Sequence, residues 1–480
     1  MKAYSTQQVK QAENEIIQSG ISEEELIDRA SDHIVTALKA HEGTKAFLVG
    51  GGNNGSDALA CSLKIKEKIK IYITDGKRNS INESLLQKVR LVHEVLPLKS
   101  FDGKCDVILD GLFGTGLSRE ISEEICATIK IANESKAYRI AIDIPSGLND
   151  CGIACPIAFC ADEVVVLGAL KEANILNDAP DYTKKLTVCD IGLKLEGGAD
   201  VLDKSAIKIA KRKRNTHKGD YGKVKIVGGS EKFVSAPLFS AISSLKSGAG
   251  ITTLTIPNSL KYFYSLSSHY GYTLDFLPEN DTGVTFCENS AQEIMKNATT
   301  IVIGMGMGNN EQTKKYVEYF INNFEGTLVI DADGINAISS DISLLKNTNR
   351  KAKIILTPHI GEYKRLNPSF DKKPSTIKTW AKENDVVIAV KSSATIISNG
   401  ERLSINTVGT PALAKGGSGD ILAGVVGALS CVMDRYSAVE SACVILGLAG
   451  TIASKKVGNE TSVIPLDVIN SIPDAINEIQ

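Results

Sequence analysis

Short apolar runs that end in glycine recur along the first half of the chain, and segments with helical spacing separate them. Helical periodicity covers residues 5–18 and 22–40, ahead of the first apolar run. Strands buried on both faces read as continuous apolar runs, and their alternation with helices indicates a parallel sheet of the α/β class. The predicted strands are KAFLVGG (45–51), IKIYIT (69–74), CDVILDGLFG (105–114), YRIAIDIPSG (138–147), DEVVVLG (162–168) and LTVCDIG (186–192).

The same alternation restarts after a charged segment, KIAKRKRNTHKGD, at residues 208–220. A basic run of this kind could bind nucleic acid, but between two α/β blocks we interpret it as a solvated linker. We therefore predict two domains, residues 1–210 and 213–480. The strands predicted in the second domain are GKVKIVGGS (222–230), ITTLTIP (251–257), TTIVIGMGMG (299–308), TLVIDADGIN (327–336), KIILTPHIGEY (353–363) and VVIAVKSSATII (386–397).

Composition narrows the class of protein. A chain of 480 residues is too long for one core, and its 54 basic and 56 acidic residues give a formal net charge of −2. This balance gives no electrostatic case for a nucleic-acid or membrane-surface partner. No apolar run approaches the roughly 20 residues that span a bilayer, so ILAGVVGALSCVM and ACVILGLAGTIA are interpreted as buried helices. The cysteines form no CxxC pair, which favours free thiols in a cytoplasmic protein.

Polar residues follow three predicted strands of the first half. Ligands of α/β proteins gather at the carboxyl ends of strands, which makes these positions candidates for a site. The first is the loop GGGNNGSDA (50–58), in which glycines let backbone N–H groups approach a phosphate and Asp57 is expected to cap the next helix. The second and third strands end in Asp110 and Asp143, and Ser146 follows in the next turn.

Four predicted strand ends or turns carry chemistry in the second half. The turn AKGGSGD (414–420) offers successive backbone N–H groups and a helix N-terminus to an anion, beside the carboxylate of Asp420. Such a carboxylate can take a proton from an alcohol that attacks a phosphoryl group, although it could also be only a helix cap. His359 follows a proline, Asp331 and Asp333 follow another strand, and Lys391 precedes two serines.

The first-half motifs GNNGSD, DGLFGTGLSRE and DIPSGL, with the lysine of LGALKEAN, resemble the epimerase half of NAD(P)H-hydrate repair enzymes. The resemblance implies a Rossmann-like domain that holds a hydrated nicotinamide nucleotide, with Asp143 acting at the nicotinamide end and Lys171 as a helper. It also implies a potassium ion bound by Asn54, Asp110 and Ser146. The implied substrate-binding residues are Asn53, Asn54, Gly55, Ser56, Asp57, Gly114, Thr115, Gly116, Leu117, Ser118, Arg119, Glu120 and Asp143.

Two positions depart from the family's usual loop, GNNGGDG. Ser56 and Ala58 stand where the family has glycine. Each adds a Cβ, which would be strained if the backbone needed a positive φ there. Strain of this kind would weaken the epimerase activity and would leave the other sites unaffected.

The second half resembles the ribokinase-like dehydratase that partners this epimerase, in HKGDYGKVKIVGGS, SGAGITTL, DADGIN, TPHIGEYKRL, VKSSATII and PALAKGGSGDILAG. The family's GPGLG reads GMGMG here, and because both outer glycines remain we expect the turn to survive. The resemblance implies that ADP or ATP, with Mg²⁺, phosphorylates the C6 hydroxyl of the S epimer and that phosphate then leaves. Asp420 would be the base. Ala249, Gly308, His359 and Asp420 would contact NADHX or NADPHX, and Lys391, Ser392, Ser393, Ala394, Thr395 and Gly419 would contact the nucleotide.

Two other functions stay open at this point. A ribokinase-like kinase of a small alcohol, with a non-catalytic N-terminal domain, would share the glycine–aspartate turn but would not explain the first half or TPHIGEY. A non-enzymatic scaffold with the same N-terminal fold would have no need of Asn54, Asp110, Asp143 and Ser146 together. We expect small-molecule substrates, no nucleic acid or membrane partner, and a homo-oligomer.

Overall fold

The computed structural model describes residues 1–117, 120–266, 270–280 and 283–480, and the chain divides into two compact units, Met1–Ala199 and Asp200–Gln480. The predicted substrate residues Ser118 and Arg119 lie outside the described residues. Each unit is built on its own sheet with helices packed against it, so the predicted α/β class is confirmed. The strand β9 (Ala199–Leu202) begins at the division between the units.

The first unit contains a parallel sheet whose strands run in the order β4-β3-β2-β5-β6-β7-β8. The strands of this sheet are β2 (Lys45–Val49), β3 (Lys70–Ile73), β4 (Glu94–Pro97), β5 (Val107–Gly111), β6 (Tyr138–Ile142), β7 (Glu163–Leu167) and β8 (Leu186–Cys189), and the short strand β1 (Lys2–Ala3) is not part of it. The helices are α1 (Thr6–Gln18), α2 (Glu23–Lys39), α3 (Asn53–Leu63), α4 (Ser80–Val89), α5 (Glu123–Glu134) and α6 (Ala179–Tyr182).

The strand order of this sheet reverses at β2, because the chain runs outward through β3 and β4 and then returns to place β5 on the other side of β2. Apolar clusters cover both faces of the sheet, and Phe47 and Leu48 have no exposed surface. A crevice opens where strand order reverses, at the carboxyl ends of β2 and β5. The asparagine loop and Asp110 therefore meet at the position where α/β folds bind ligands.

The second unit has a larger sheet, in which β10, β11, β12, β15, β16, β17 and β18 are parallel and β18, β19 and β20 form antiparallel pairs. Its strands are β9, β10 (Lys223–Val227), β11 (Ile251–Pro257), β12 (Thr273–Leu277), β15 (Thr300–Ile303), β16 (Thr327–Ile330), β17 (Lys353–Leu356), β18 (Val387–Val390), β19 (Thr395–Ser398) and β20 (Leu403–Asn406), and a separate small hairpin joins β13 (Glu279–Asn280) to β14 (Gly283–Val284).

The helices of the second unit cover this sheet. They are α7 (Ser235–Lys246), α8 (Lys261–Ser265), α9 (Glu288–Met295), α10 (Glu311–Asn323), α11 (Asp333–Ser339), α12 (Ser343–Lys346), α13 (Ile360–Leu366), α14 (Pro374–Glu383), α15 (Ser418–Leu429), α16 (Arg435–Val457) and α17 (Pro465–Ile479). By length and composition α16 could span a membrane, but 72% of its most apolar window is buried inside the fold. Together with α15 it forms part of the core of this unit, as the apolar pattern predicted.

The charged segment lies within the second unit. Residues 203–217 form neither helix nor strand, and most of their side chains are exposed. The three residues before them, Asp200–Leu202 of β9, pair in parallel with Ser404–Asn406 of β20. A domain boundary at 210/213 therefore separates β9 from the sheet to which it belongs.

Candidate active sites

The glycine turn after β2 leads directly into α3. Gly52 is the N-cap and the helix begins at Asn53, so Asp57 lies in the second turn and the prediction that it caps the helix was wrong. Ser56 and Ala58 have ordinary helical backbone angles and are fully buried. The strain expected from replacing two glycines is therefore absent at these two positions.

The three predicted potassium ligands lie together: Asn54 and Ser146 both contact the backbone of Phe113, and Asp110 is hydrogen-bonded to Ser146. The amide nitrogen of Asn54 donates to the main-chain oxygens of Phe113 at 3.0 Å and Ile142 at 2.7 Å. The Ser146 hydroxyl donates to Asp110 Oδ1 at 2.6 Å and accepts from the Phe113 N–H at 2.9 Å. A Cβ at Gly114 would collide with the Asn54 side chain, which explains the glycine there.

This cluster has the chemistry of a cation site. Carboxylate, amide, hydroxyl and carbonyl oxygens are the ligands that hard cations take, and the three side chains bring one of each of the first three kinds. Burial raises the pKa of Asp110 to about 6, while hydrogen bonds from Ser146 and Leu112 lower it. A bound cation would further favour the ionised carboxylate, so these residues fit the implied potassium ion.

Asp143 and Lys171 form a buried ion pair. Lys171 Nζ lies 2.5 Å from Asp143 Oδ1 and also donates to the main-chain oxygens of Leu167 at 2.7 Å and Ala169 at 3.2 Å. Asp143 itself has a positive φ of 67°. A non-glycine residue held in that conformation is typical of functional sites, where the surrounding structure compensates for the strain. The structure thus places Lys171, which the resemblance implied as a helper, in direct contact with Asp143.

Two further carboxyl groups face this ion pair. Asp57 is 6% exposed, and within the described parts of the chain no donor hydrogen-bonds to its carboxyl. Burial, followed by the charge of Asp143, raises the pKa of Asp57 well above its ordinary value, and the same two causes raise the pKa of Glu13 on α1. Sequence reasoning missed Glu13, because α1 precedes every motif and its acidic residues look like an ordinary solvated helix face.

The rest of the predicted substrate loop lies beside this cluster. Gly116 donates its N–H to Gly114 O at 2.7 Å, and Lys10 donates to Thr115 O at 3.0 Å. Leu117 is half-buried and Glu120 is exposed. On the other side of the asparagine loop, Asn79 donates to Asn53 at 3.0 Å and lines a cavity of about 570 Å³ beyond β3. A cavity of this size suits a nucleotide-sized group.

The glycine turn before α15 has the geometry of an anion site. Gly417 adopts a φ of 102°, and a Cβ there would come within 3.0 Å of Pro465 and Phe239. Asp420 is the third residue of α15, so its carboxyl lies in the first turn of the helix, beside the unpaired backbone N–H groups. Burial, followed by the charge of Asp331, raises the pKa of Asp420 to about 7.

Lys391, which is partly exposed, and Asp331, which is buried, form a second ion pair next to this turn. Lys391 Nζ lies 2.8 Å from Asp331 Oδ1, which also accepts from the Thr357 hydroxyl at 2.8 Å. A Cβ on Gly419 would approach Lys391 Nζ to 3.0 Å, so the glycine admits the ammonium group to the turn. Burial opposes the charged form of Lys391, but Asp331 and Glu362 outweigh it and raise the pKa of this lysine.

His359 is bound into the start of α13. Its Nδ1 accepts from the N–H groups of Gly361 at 2.9 Å and Glu362 at 3.2 Å, while Glu362 accepts from the His359 N–H at 2.8 Å. A neutral His359 therefore carries its proton on Nε2, which lies 3.4 Å from Glu362 Oε1. The ring is half exposed and caps the helix while presenting its other nitrogen to the site.

The other predicted residues of this half fall into two groups. Gly308 donates its N–H to Asp333 at 2.8 Å, and Gly304, Gly306 and Gly308 all have positive φ, so the turn survives the change to GMGMG. Residues 391–394 form the turn between β18 and β19, with the Ser392 hydroxyl donating to Ala394 O at 2.7 Å, and Thr395 begins β19. Ala394 is buried, Ser392 and Ser393 are exposed, and Thr395 is half-buried.

Ala249 does not join this group. It is buried, and it precedes the amino end of β11. Asp331, His359 and Lys391 instead follow the carboxyl ends of strands that run parallel to β11. The fold therefore places Ala249 at the opposite edge of the sheet, and this geometry offers no support for its predicted substrate contact.

Across the described ranges, no cluster of three or more His, Cys, Asp or Glu residues could hold a metal ion.

The fold and the two clusters define a two-domain α/β enzyme, with one site at each sheet's carboxyl edge. Residues 224–474 match the family model described as NAD(P)H-hydrate dehydratase, and residues 23–173 match the model described as YjeF-related protein N-terminus. The chain belongs to the family of bifunctional NAD(P)H-hydrate repair enzymes. The predicted repair of hydrated NAD(P)H, by epimerisation in the first half and dehydration in the second, is confirmed.

Relatives match along nearly the whole chain. A bifunctional NAD(P)H-hydrate repair enzyme from Hyperthermus butylicus is 30% identical over 95% of this chain and 89% of its own length. The enzyme of the same description from Archaeoglobus fulgidus is 28% identical over 95% of both chains. A ribokinase-like superfamily protein from Enterococcus faecalis, 20% identical with a TM-score of 0.51, covers 58% of this chain and 96% of its own. The predicted ribokinase-like second domain is confirmed.

Proposed function

We propose that Asp420 is the base of the dehydratase site. We also propose that Asp143, assisted by Lys171, is a catalytic residue of the epimerase site. The observation that carries the first assignment is the position of Asp420 in the first turn of α15, behind a glycine turn that also admits Lys391. A base works best when its pKa lies near the working pH, and the pKa of Asp420 is raised to about 7.

The dehydration then follows from the residues at this edge of the sheet. Asp420 removes the proton of the C6 hydroxyl as the hydroxyl oxygen attacks the terminal phosphoryl group of ADP or ATP, and the bond from that phosphorus to the departing AMP or ADP breaks. The glycine-turn N–H groups and Lys391 offset the negative charge of that phosphoryl group. The C6–O bond breaks as phosphate leaves, a proton departs from the neighbouring ring carbon, and the dihydronicotinamide ring is restored.

Mg²⁺ fits this edge of the sheet as the partner of the nucleotide. It is usually held by one or two carboxylates together with substrate phosphates and water, so a site need not contain a cluster of three acids. Asp331 and Glu362 are the buried carboxylates beside Lys391 and would hold it. When bound, the ion would neutralise charge on the phosphates.

In the first unit, Asn54, Asp110 and Ser146 would hold potassium, and residues 53–57 and 114–120 would hold hydrated NADH or NADPH. Support comes from the contacts of Asn54 and Ser146 with Phe113, from the hydrogen bond between Ser146 and Asp110, and from the buried ion pair of Asp143 and Lys171. The cavity beyond β3 would take the remaining part of the dinucleotide. A cytoplasmic location and a homo-oligomeric state stay predictions.

The assay that tests this function starts from separated R and S forms of hydrated NADH. We expect the S form with ADP or ATP to regain the absorbance of NADH and release phosphate. The R form should do the same after a lag for epimerisation. A stable phosphorylated product without restored absorbance would identify a small-alcohol kinase instead and refute the proposal.

A further inference from the structure

Helix α1 is built into the epimerase site, although no motif and no match with the family models reaches it, since the match begins at residue 23. The segment before it pairs with the backbone around Lys171: the Tyr4 N–H donates to Leu170 O at 2.9 Å, and the Glu172 N–H donates to Tyr4 O at 2.9 Å. The helix starts at Thr6 with a capping box on Ser5, so its position is fixed at that end.

The next turns of α1 bring two charged residues to the site. Lys10 donates to Thr115 O, in the predicted substrate loop. Glu13 lies three residues later, so the two share one face of the helix. The charged groups that act on the Glu13 carboxyl are Asp143, Lys171, Lys10 and Glu23, of which the first two form the buried ion pair of the site.

The surroundings of the acids give them different roles. Asp143 is ion-paired with Lys171, and its carboxyl oxygens are the proton acceptors at the centre of the site. Asp57 is nearly fully buried and has no hydrogen-bond partner for its carboxyl among the described residues, which suits a protonated group that donates a hydrogen bond to substrate and holds its proton. Glu13 is only half-buried, so it can exchange protons with solvent, and burial raises its pKa so that it can also hold one.

Epimerisation at C6 needs a donor and an acceptor and consumes nothing else. The C6–O bond breaks when the ring nitrogen's lone pair forms a C=N bond and the hydroxyl takes a proton and leaves as water. Water then adds to the other face of C6 and gives up a proton. Groups whose surroundings separate their proton affinities divide such work between them.

We propose that Glu13 is a catalytic residue of the epimerase site, donating the proton to the departing C6 hydroxyl while Asp143 accepts the proton of the incoming water. Glu13 regains its proton through solvent, and the two exchange roles in the reverse direction. This inference rests on the proposed function of the first unit. It makes α1 part of the catalytic apparatus.

The test uses the whole chain and three variants: Glu13→Gln, Glu13→Asp and Glu15→Gln. Glu15 is the matched control, since it lies on the same helix, is exposed and bonds only to Gln11 at 2.9 Å among the described contacts. R-to-S conversion is followed by chromatography after subtraction of the uncatalysed rate. Dehydration of the S form by the same sample and the melting temperature serve as internal controls.

We expect Glu13→Gln to slow R-to-S conversion by about 10²-fold or more, as for loss of a general acid, with dehydration of S unchanged. Glu13→Asp should recover part of the rate, because it restores a carboxyl, and Glu15→Gln should behave as the unchanged chain. Near-normal conversion by Glu13→Gln would overturn the inference, and so would an equal loss in Glu15→Gln. If the unsubstituted protein does not convert the R form to the S form, the proposed epimerase activity itself is refuted.

Discussion

Asp420 is the residue on which the dehydratase proposal depends. Asp420→Asn keeps the shape of the side chain and its place in the first turn of α15, but removes proton acceptance. Loss of a general base costs between about 10²- and 10⁴-fold in rate, so we expect turnover of the S form to collapse by that factor. Nucleotide affinity, measured by calorimetry, should stay within about tenfold, or about 1.4 kcal/mol. Near-normal turnover would reduce Asp420 to an acidic residue that stabilises the first turn of α15.

The pH dependence of dehydration follows from the same carboxyl group. A base must be ionised to work, so kcat/KM for the S form should rise with pH through about 7, the pKa of Asp420. Asp331 raises that pKa and Lys391 lowers it. Asp331→Asn removes the first influence and frees Lys391 to act more on Asp420, so the rise should move to lower pH. An unchanged pH profile in Asp331→Asn would show that Asp331 does not influence the pKa of the base.

At the residue scale, sequence reasoning identified the site residues that follow strands, but it did not identify the residues that surround them in space. Asp110, Asp143, His359 and Lys391 were identifiable because each follows an apolar run. Glu13 could not be identified in this way, since its neighbours in space come from residues far along the chain. The capping role of the His359 ring likewise depends on hydrogen-bond geometry that spacing does not encode.

At the scale of elements, the central strands were predicted because a strand buried on both faces reads as a continuous apolar run. The more exposed edge strands β4 and β12 lack that pattern and were missed. Helix starts were less predictable: a glycine caps α3, and Asp57 with its polar neighbours lies inside the helix. Ala249 shows a second limit, since a motif match does not state which edge of a sheet its residue occupies. Pairing and direction of strands decide that, and both are tertiary properties.

The potassium proposal belongs to this scale, because α3, β5 and the turn after β6 each supply one ligand. Asp110→Ala should slow R-to-S conversion and remove its dependence on potassium, while dehydration of the S form stays intact. The substitution also leaves the Ser146 N–H without its 2.8 Å partner, so a cost of about 1–3 kcal/mol in stability is expected. Asp110→Asn preserves most of the packing and should lose the potassium response too. Equal loss of both activities would indicate a folding defect.

At the scale of the whole molecule, the chain consists of two units that each bury their own core. Such units often fold alone, and the prediction from sequence was that 1–210 and 213–480 would do so. Sequence reasoning interpreted the charged segment as the linker, but it could not reveal that β9, ahead of that segment, pairs with β20. A strand of four residues carries too little pattern to be assigned to a sheet.

The position of β9 gives a test of where the second unit begins. A piece covering 196–480 retains β9, whereas 213–480 leaves β20 as an unpaired edge of the sheet. Unpaired edges promote association between chains. We expect both pieces to dehydrate the S form, because the residues around Asp420 are present in each. The shorter piece should melt at a lower temperature and aggregate at lower concentration, as measured by calorimetry and light scattering. Equal melting temperatures would show that β9 adds nothing to this unit, and an inert longer piece would show that the two units depend on each other.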